Sequence, residues 1–296
     1  MMEYDERAFF FACDGESLPG IVACPRAAPE AERETERETC IGVLIVVGGP
    51  QYRVGSHRQF VLLARTLAAE GIACMRFDYR GMGDASGEPR AFDAVEHDIC
   101  AAIDAFFSEV PTLSGVMLWG LCDGASAAAL YAGDDPRVVG LLLLNPWVHG
   151  EANEACVFLR YYYPQRLRSR AFWAKLLRGG IRPLHSLRGY WRTLRRARGA
   201  VQSVHRQALP ERMLLALRML ALPWWVILSG KDYVAREFEQ AAASPAWAEL
   251  YPARIPYHVP DADHTFSSAA SRRKVEEKTL QCVRALTRIV RLLDSV

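Results

Sequence analysis

Uninterrupted apolar runs of strand length alternate along this chain with segments whose apolar residues recur at helical spacing. The runs are Ile41–Val47, Ile72–Phe77, Gly115–Trp119, Val138–Leu144 and Trp224–Leu228, with a shorter one at Pro256–Val259. A run without polar alternation suits a strand buried on both faces of a parallel sheet. Between the runs, Ser56 is placed to cap a helix reaching about Glu70, with Phe60, Leu63 and Leu67 as its apolar stripe. Asp93–Phe107, Ala125–Ala132, Val234–Ala243 and the residues from Lys274 onward predict further helices. Ala8–Cys13 and Gly20–Cys24 predict two short strands around an Asp14–Gly15 turn, with a further break at Pro19–Gly20. Pro25–Thr39, rich in Glu, Arg, Ala and Pro, reads as a solvated loop or frayed helix. The alternation predicts an α/β protein with a mostly parallel central sheet and helices on both faces.

Composition narrows the class without changing the fold. Half of the 296 residues are apolar and 24% are charged, which is a globular balance. Every apolar run is strand-sized, far below the roughly 18–20 residues of a membrane span. Met1–Arg7 carries acids and lacks the basic start and apolar run of a secretory signal, so a cytoplasmic protein is expected. The 8 cysteines are irregularly spaced and none form C-x-x-C, which predicts neither a disulfide framework nor a zinc site. No metal and no cofactor are expected. Most of these thiols read as small buried hydrophobes.

One cysteine has a different setting. Val116–Trp119 leads into Gly120-Leu121-Cys122-Asp123-Gly124 and then a small-residue helix. A strand, a Gly-x-nucleophile-x-Gly turn and a helix hold the central side chain in a strained conformation above the sheet edge. The following helix aims its N-terminus at it, which favours a negative sulfur. The bland alternative is a buried cysteine beside a glycine turn. A thiol nucleophile needs a base, and His264 in Asp261-Ala262-Asp263-His264-Thr265-Phe266 follows the last short strand. A surface histidine is the competing reading. Asp232, after the strand Trp224–Leu228, is placed to orient the imidazole, or else only to cap the next helix. Val46-Val47-Gly48-Gly49-Pro50-Gln51 could supply backbone donors for an oxyanion together with Asp123 N–H, or form an ordinary strand-to-helix turn. Pro50 has no N–H, so Gly49 or Gln51 would donate. The candidate substrate contacts are Gln51, His57, Arg80, Tyr162 and Trp173.

Phe77-Asp78-Tyr79-Arg80-Gly81-Met82-Gly83-Asp84-Ala85-Ser86-Gly87 resembles the D-x-R-G-x-G-x-S-x-G loop of α/β hydrolases. With the turn at Cys122, Asp232 and His264, four motifs stand in the order of that superfamily, and the resemblance spans nearly the whole chain. Val43 through Phe60, and Gly120 through Ala127, further resemble hydrolase 1 of the exosortase A system; Gly124 departs conservatively from the alanine common there. The resemblance implies an α/β-hydrolase fold with a helical cap insertion and an association with bacterial exosortase and exopolysaccharide systems, but no substrate. Cysteine at the turn is also found in dienelactone hydrolases, polyhydroxyalkanoate synthases and some thioesterases.

The resemblance gives a place to the one basic segment. Of 36 basic and 34 acidic residues, 15 and 3 respectively fall between 151 and 220, leaving 21 and 31 elsewhere. The expected division is a hydrolase core at 1–147 and 221–296 with a basic, aromatic-rich cap at 148–220. The segment is either a solvated lid or a cap receiving an anionic partner, such as acyl carrier protein, a CoA phosphate, an anionic glycan or an acidic membrane face at its periphery. Nucleic acid is not expected, since no recognition motif accompanies the charge. Two functions compete: a Cys122–His264–Asp232 enzyme hydrolysing or transferring an ester or thioester acyl group, and a non-catalytic scaffold that binds an anionic polymer, carrier protein or membrane through the cap.

Overall fold

The computed structural model describes residues 2–26, 39–49, 51–148, 208–247, 250 and 256–294. The chain divides into two compact units, one of Met1–Val148 with Met213–Val296 and the other of His149–Arg212. Nearly all of the second unit, including Tyr162 and Trp173, lies outside the described residues.

The first unit is built on an eight-stranded sheet. Its strands are β1 (Tyr4–Cys13), β2 (Glu16–Pro25), β3 (Ile41–Val46), β4 (Cys74–Phe77), β5 (Gly115–Leu121), β6 (Val138–Leu144), β7 (Trp224–Ser229) and β8 (Tyr257–Val259). Their spatial order is β1-β2-β4-β3-β5-β6-β7-β8. β1 and β2 form an antiparallel hairpin whose second strand meets β4 antiparallel, and all later pairs are parallel. The described α-helices are α1 (Gln59–Ala69), α2 (Glu96–Glu109), α3 (Asp123–Tyr131), α4 (Leu209–Met219), α5 (Tyr233–Ala242) and α6 (Ala269–Asp294). None is long and apolar enough to cross a membrane.

The central strands β3, β4 and β5 are buried at every position, as continuous apolar runs require. Helices cover both faces. A Cβ on Gly42 of β3 would meet Phe106 of α2. Trp119 of β5 pairs in register with Ile45, an odd number of residues along β3, and so faces the other way. There its indole donates to Thr279 Oγ1 of α6 at 3.2 Å and meets Phe60 of α1 edge-on, with centroids 5.6 Å apart. Such an aromatic pair contributes about 0.5–1.5 kcal/mol beyond its burial.

Several elements depart from expectation, each for a local reason. β2 runs through Pro19 and Gly20 without a break. Pro19 lies just outside the stretch where β2 pairs with β4, so its missing N–H costs no ladder bond there, and its carbonyl accepts Asp78 N–H at 3.2 Å. Ser56 does not cap a helix. A 3-10 turn, Ser56–Arg58, precedes α1, with His57 and Arg58 at φ 54° and 62°. Ser56 N–H is instead taken by Gln51 Oε1 at 3.2 Å. α4 was not foreseen, because its residues fall inside the segment read from composition as one basic insertion. The Pro25–Thr39 loop lies almost entirely outside the described residues.

Candidate active site

The turn after β5 has the strain its glycines anticipate. Cys122 sits at φ 60°, ψ −127°, a conformation that is costly for any residue with a side chain. A Cβ on Gly120 would lie 2.5 Å from Gly124 O, and one on Gly124 would lie 2.5 Å from Val46 O. Glycine at both positions is therefore a requirement of close backbone approach. The loop after β6 braces the turn from the other side. Cys122 N–H donates to Leu144 O at 2.9 Å, Trp147 N–H donates to Cys122 O at 3.2 Å, and Ser126 Oγ donates to Trp147 O at 2.5 Å. Cys122 is a free, half-buried thiol, at the start of α3.

His264 approaches this thiol from the loop after β8, near enough for Cys122 to help raise the pKa of the imidazole. Its Nδ1 meets Asp232 Oδ2 at 2.8 Å. Asp232 makes the contacts of both readings. It caps α5 by accepting Val234 N–H and Ala235 N–H, each at 3.3 Å, and it holds the imidazole. Burial disfavours the His264 cation, but the bond to Asp232 and the charges of Asp232 and Cys122 outweigh it and raise its pKa to about 10.

Asn145 is a positioning residue that the sequence reading missed. It is wholly buried with φ 42°, at the end of β6. Its Nδ2 donates to His264 O at 3.0 Å, and its Oδ1 accepts Ser229 N–H at 2.9 Å. The histidine loop is thus tied to the ends of β6 and β7. The available signal was Asn145-Pro146 closing an apolar strand, since asparagine tolerates the left-handed region.

The β3 loop also closes on the turn. The Asp123 carboxylate accepts Gly124 N–H at 3.1 Å and lies against the β3 loop, where a Cβ on Gly48 would meet it. Burial raises its pKa, outweighing the neighbouring backbone N–H groups and the His264 charge. Pro50 is outside the described residues.

The remaining predicted contacts divide. His57 is exposed, and its charge helps hold down the pKa of Asp263, beside His264, where burial works the other way and bonds from Ser267 and Thr265 lower it too. Gln51 is half-buried and spends its side-chain oxygen on Ser56. Arg80 corrects the expectation that it contacts substrate. Its side chain is buried and paired with Asp98, through Nε at 3.0 Å and Nη2 at 2.8 Å, and with Asp14 at 2.5 Å. In its place Arg53 links the two loop motifs, bonding Asp78 through its side chain and its backbone N–H and reaching Asp84 at 2.7 Å.

A thiol, an imidazole and a carboxylate in sequence are fit for nucleophilic chemistry at a carbonyl. The sequence model of the alpha/beta hydrolase family matches residues 43–276. The chain belongs to this family. Two solved α/β folds show the likeness. The esterase Pf2001 of Pyrococcus furiosus superposes with a TM-score of 0.65 at 12% identity, over 96% of this chain and 93% of that one. Est1E of Butyrivibrio proteoclasticus, solved with ferulic acid bound, gives 0.59 at 15% identity over 94% and 100%. Identities this low establish shared fold alone. In sequence, this α/β hydrolase is 32% identical over 97 residues to the polyketide transferase grgF of Penicillium sp, which is 31% of this chain and 32% of that protein. The match thus spans about a third of that relative's length.

Proposed function

We propose that this α/β hydrolase is a cysteine-dependent acyl enzyme that takes an acyl group from an ester or thioester and passes it to water or another acceptor. The observation that carries the reading is the His264 imidazole, bonded to Asp232 and close enough to Cys122, on its strained turn, for the sulfur to help raise its pKa. The Cys122 sulfur forms a bond to the acyl carbon. The bond from that carbon to the leaving oxygen or sulfur breaks, and the leaving group takes the proton from His264. His264 then accepts a proton from the acceptor as it attacks the acyl-cysteine. Asp232 keeps the imidazole oriented throughout.

An acyl-cysteine is a thioester. Its energy is close to that of a CoA or carrier-protein thioester, so loading from such donors is near balance and transfer competes with hydrolysis. The name of the polyketide transferase relative agrees with transfer. The basic segment between 151 and 220 is suited to the anionic carrier of such a donor. The resemblance of Val43–Phe60 to the exosortase-system hydrolase points to work in a bacterial exopolysaccharide system, on the cytoplasmic side.

Intact-protein mass spectrometry after exposure to acyl-CoA and aryl esters tests the reading. A single acyl adduct is expected in wild type and absent in Cys122→Ala. An adduct that persists in Cys122→Ala removes Cys122 from the role. No adduct with any donor returns the protein to the scaffolding function.

A further inference from the structure

A cavity of about 310 Å³ opens at the end of the sheet opposite the thiol. It lies where β3 begins, at Ile41, and just before β4, at Ile72, whereas Cys122 follows the far end of β5. The 7 residues of β5 separate the two ends by about 20 Å. One wall of the cavity is α6, which supplies Arg284, Arg288 and Arg291 at i, i+4 and i+7, a single helix face. Among the described residues the lining holds these three arginines against one acid, Glu70, which pairs with Arg284 at 2.7 Å. Arg288 pairs with no acid among the described residues. A helix dipole favours cations in its last turn, but Arg284 and Arg288 stand further up α6, outside that reach.

The rim is apolar. Of the eight large hydrophobic side chains exposed among the described residues, three belong to this end. Leu292 and Leu293 follow Arg291 at the tip of α6 and are 68% and 70% exposed. Met2, 61% exposed, is tied beside the cavity by its N–H, which donates to Ala69 O at 2.7 Å, and a Cβ on Gly71 of the lining would lie 3.7 Å from its sulfur. The acids that follow Met2, Glu3 and Asp5, are both paired with Arg26. Arginine forks match the oxygens of a phosphate, and exposed aliphatic side chains beside basic ones suit an anionic bilayer surface. We propose that this end of the molecule docks on an anionic membrane, with a lipid phosphate headgroup held between Arg284, Arg288 and Arg291 and with Met2, Leu292 and Leu293 entering the lipid boundary. The docking is independent of the acyl chemistry, and it turns the strand ends that carry Cys122 toward the aqueous phase.

Flotation of the full chain with vesicles tests the proposal. Wild type should bind vesicles of equal parts phosphatidylcholine and phosphatidylglycerol, and not phosphatidylcholine alone. One basic residue near an anionic surface is worth roughly fivefold in partitioning, so Arg288→Glu/Arg291→Glu should bind about tenfold more weakly or worse. Leu292→Ser/Leu293→Ser should bind about fivefold more weakly and keep its preference for phosphatidylglycerol. All four side chains are exposed, so both variants should melt at the wild-type temperature. Inorganic phosphate, compared with chloride at matched ionic strength, should loosen wild type from the mixed vesicles, a readout that needs no variant. Wild-type binding in both variants overturns the docking and assigns the vesicle contact to another part of the chain. Equal binding to phosphatidylcholine alone overturns the headgroup site. Calorimetric binding of inorganic phosphate without any vesicle binding overturns the membrane and leaves a soluble phosphate ligand in its place.

Discussion

Asp232 joins the N-terminus of α5 to the imidazole of His264. Two of its bonds finish the N-terminus of α5 and a third holds His264. The pair has a thermodynamic signature. His264 has a folded pKa of about 10 against an ordinary value of 6.5. Between those values the folded protein binds the proton and the unfolded chain does not, so stability falls as pH rises. The contribution is complete below about 6.5 and is lost as pH rises through about 10. Urea unfolding at a series of pH values should therefore show wild type ahead of Asp232→Asn at pH 6, with the gap narrowing toward pH 10.5. A gap independent of pH would mean that the carboxylate acts only as a helix cap.

At the scale of elements, the site depends on loops that bind one another. The turn at Cys122 is braced by the strand ends of β3 and β6, and the D-x-R-G loop after β4 is fastened by its own charges. Arg80 and Asp98 are both buried, and Arg80 also reaches Asp14. Removing one member of such a pair strands the other charge, a loss of about 3–5 kcal/mol. Arg80→Met should lose stability on that order in chemical denaturation, while folded protein alkylates Cys122 at the wild-type rate. A stable Arg80→Met with a raised KM would restore Arg80 to the substrate. The motif was legible in sequence, but the direction of its arginine was not. Nothing in Asp78–Gly87 says that Asp98, on α2, will stand against it. Gln51 tells the same story, since nothing local says that its side-chain oxygen will accept Ser56 N–H.

At the scale of the molecule, the sheet order brings together residues far apart in the chain. Cys122, Asp232 and His264 follow β5, β7 and β8, at the strand ends where parallel sheets form their sites. The segment from 151 to 220 carries 15 basic and 3 acidic residues, the remainder 21 and 31. Under the proposed function, charge distributed so unevenly would steer an anionic donor and be screened by salt. Acylation by an acyl-CoA should therefore fall by about tenfold between roughly 50 and 500 mM salt, with a neutral aryl ester little affected. Equal salt dependence of the two donors would mean that the basic segment does not receive the carrier.

The sequence by itself determined the class of fold and its central strands, and it singled out Cys122, His264 and Asp232 as candidates. Apolar runs, helical spacing and glycines at a turn are local signals, and local physics suffices to read them. What the tertiary structure decided was which polar groups meet. Asn145 fastening the histidine loop, Arg80 turned inward to Asp98, and Arg53 reaching Asp84 all depend on contacts between segments distant in the chain. A polar side chain carries no periodicity that names its partner, so only the assembled sheet settles the pairing.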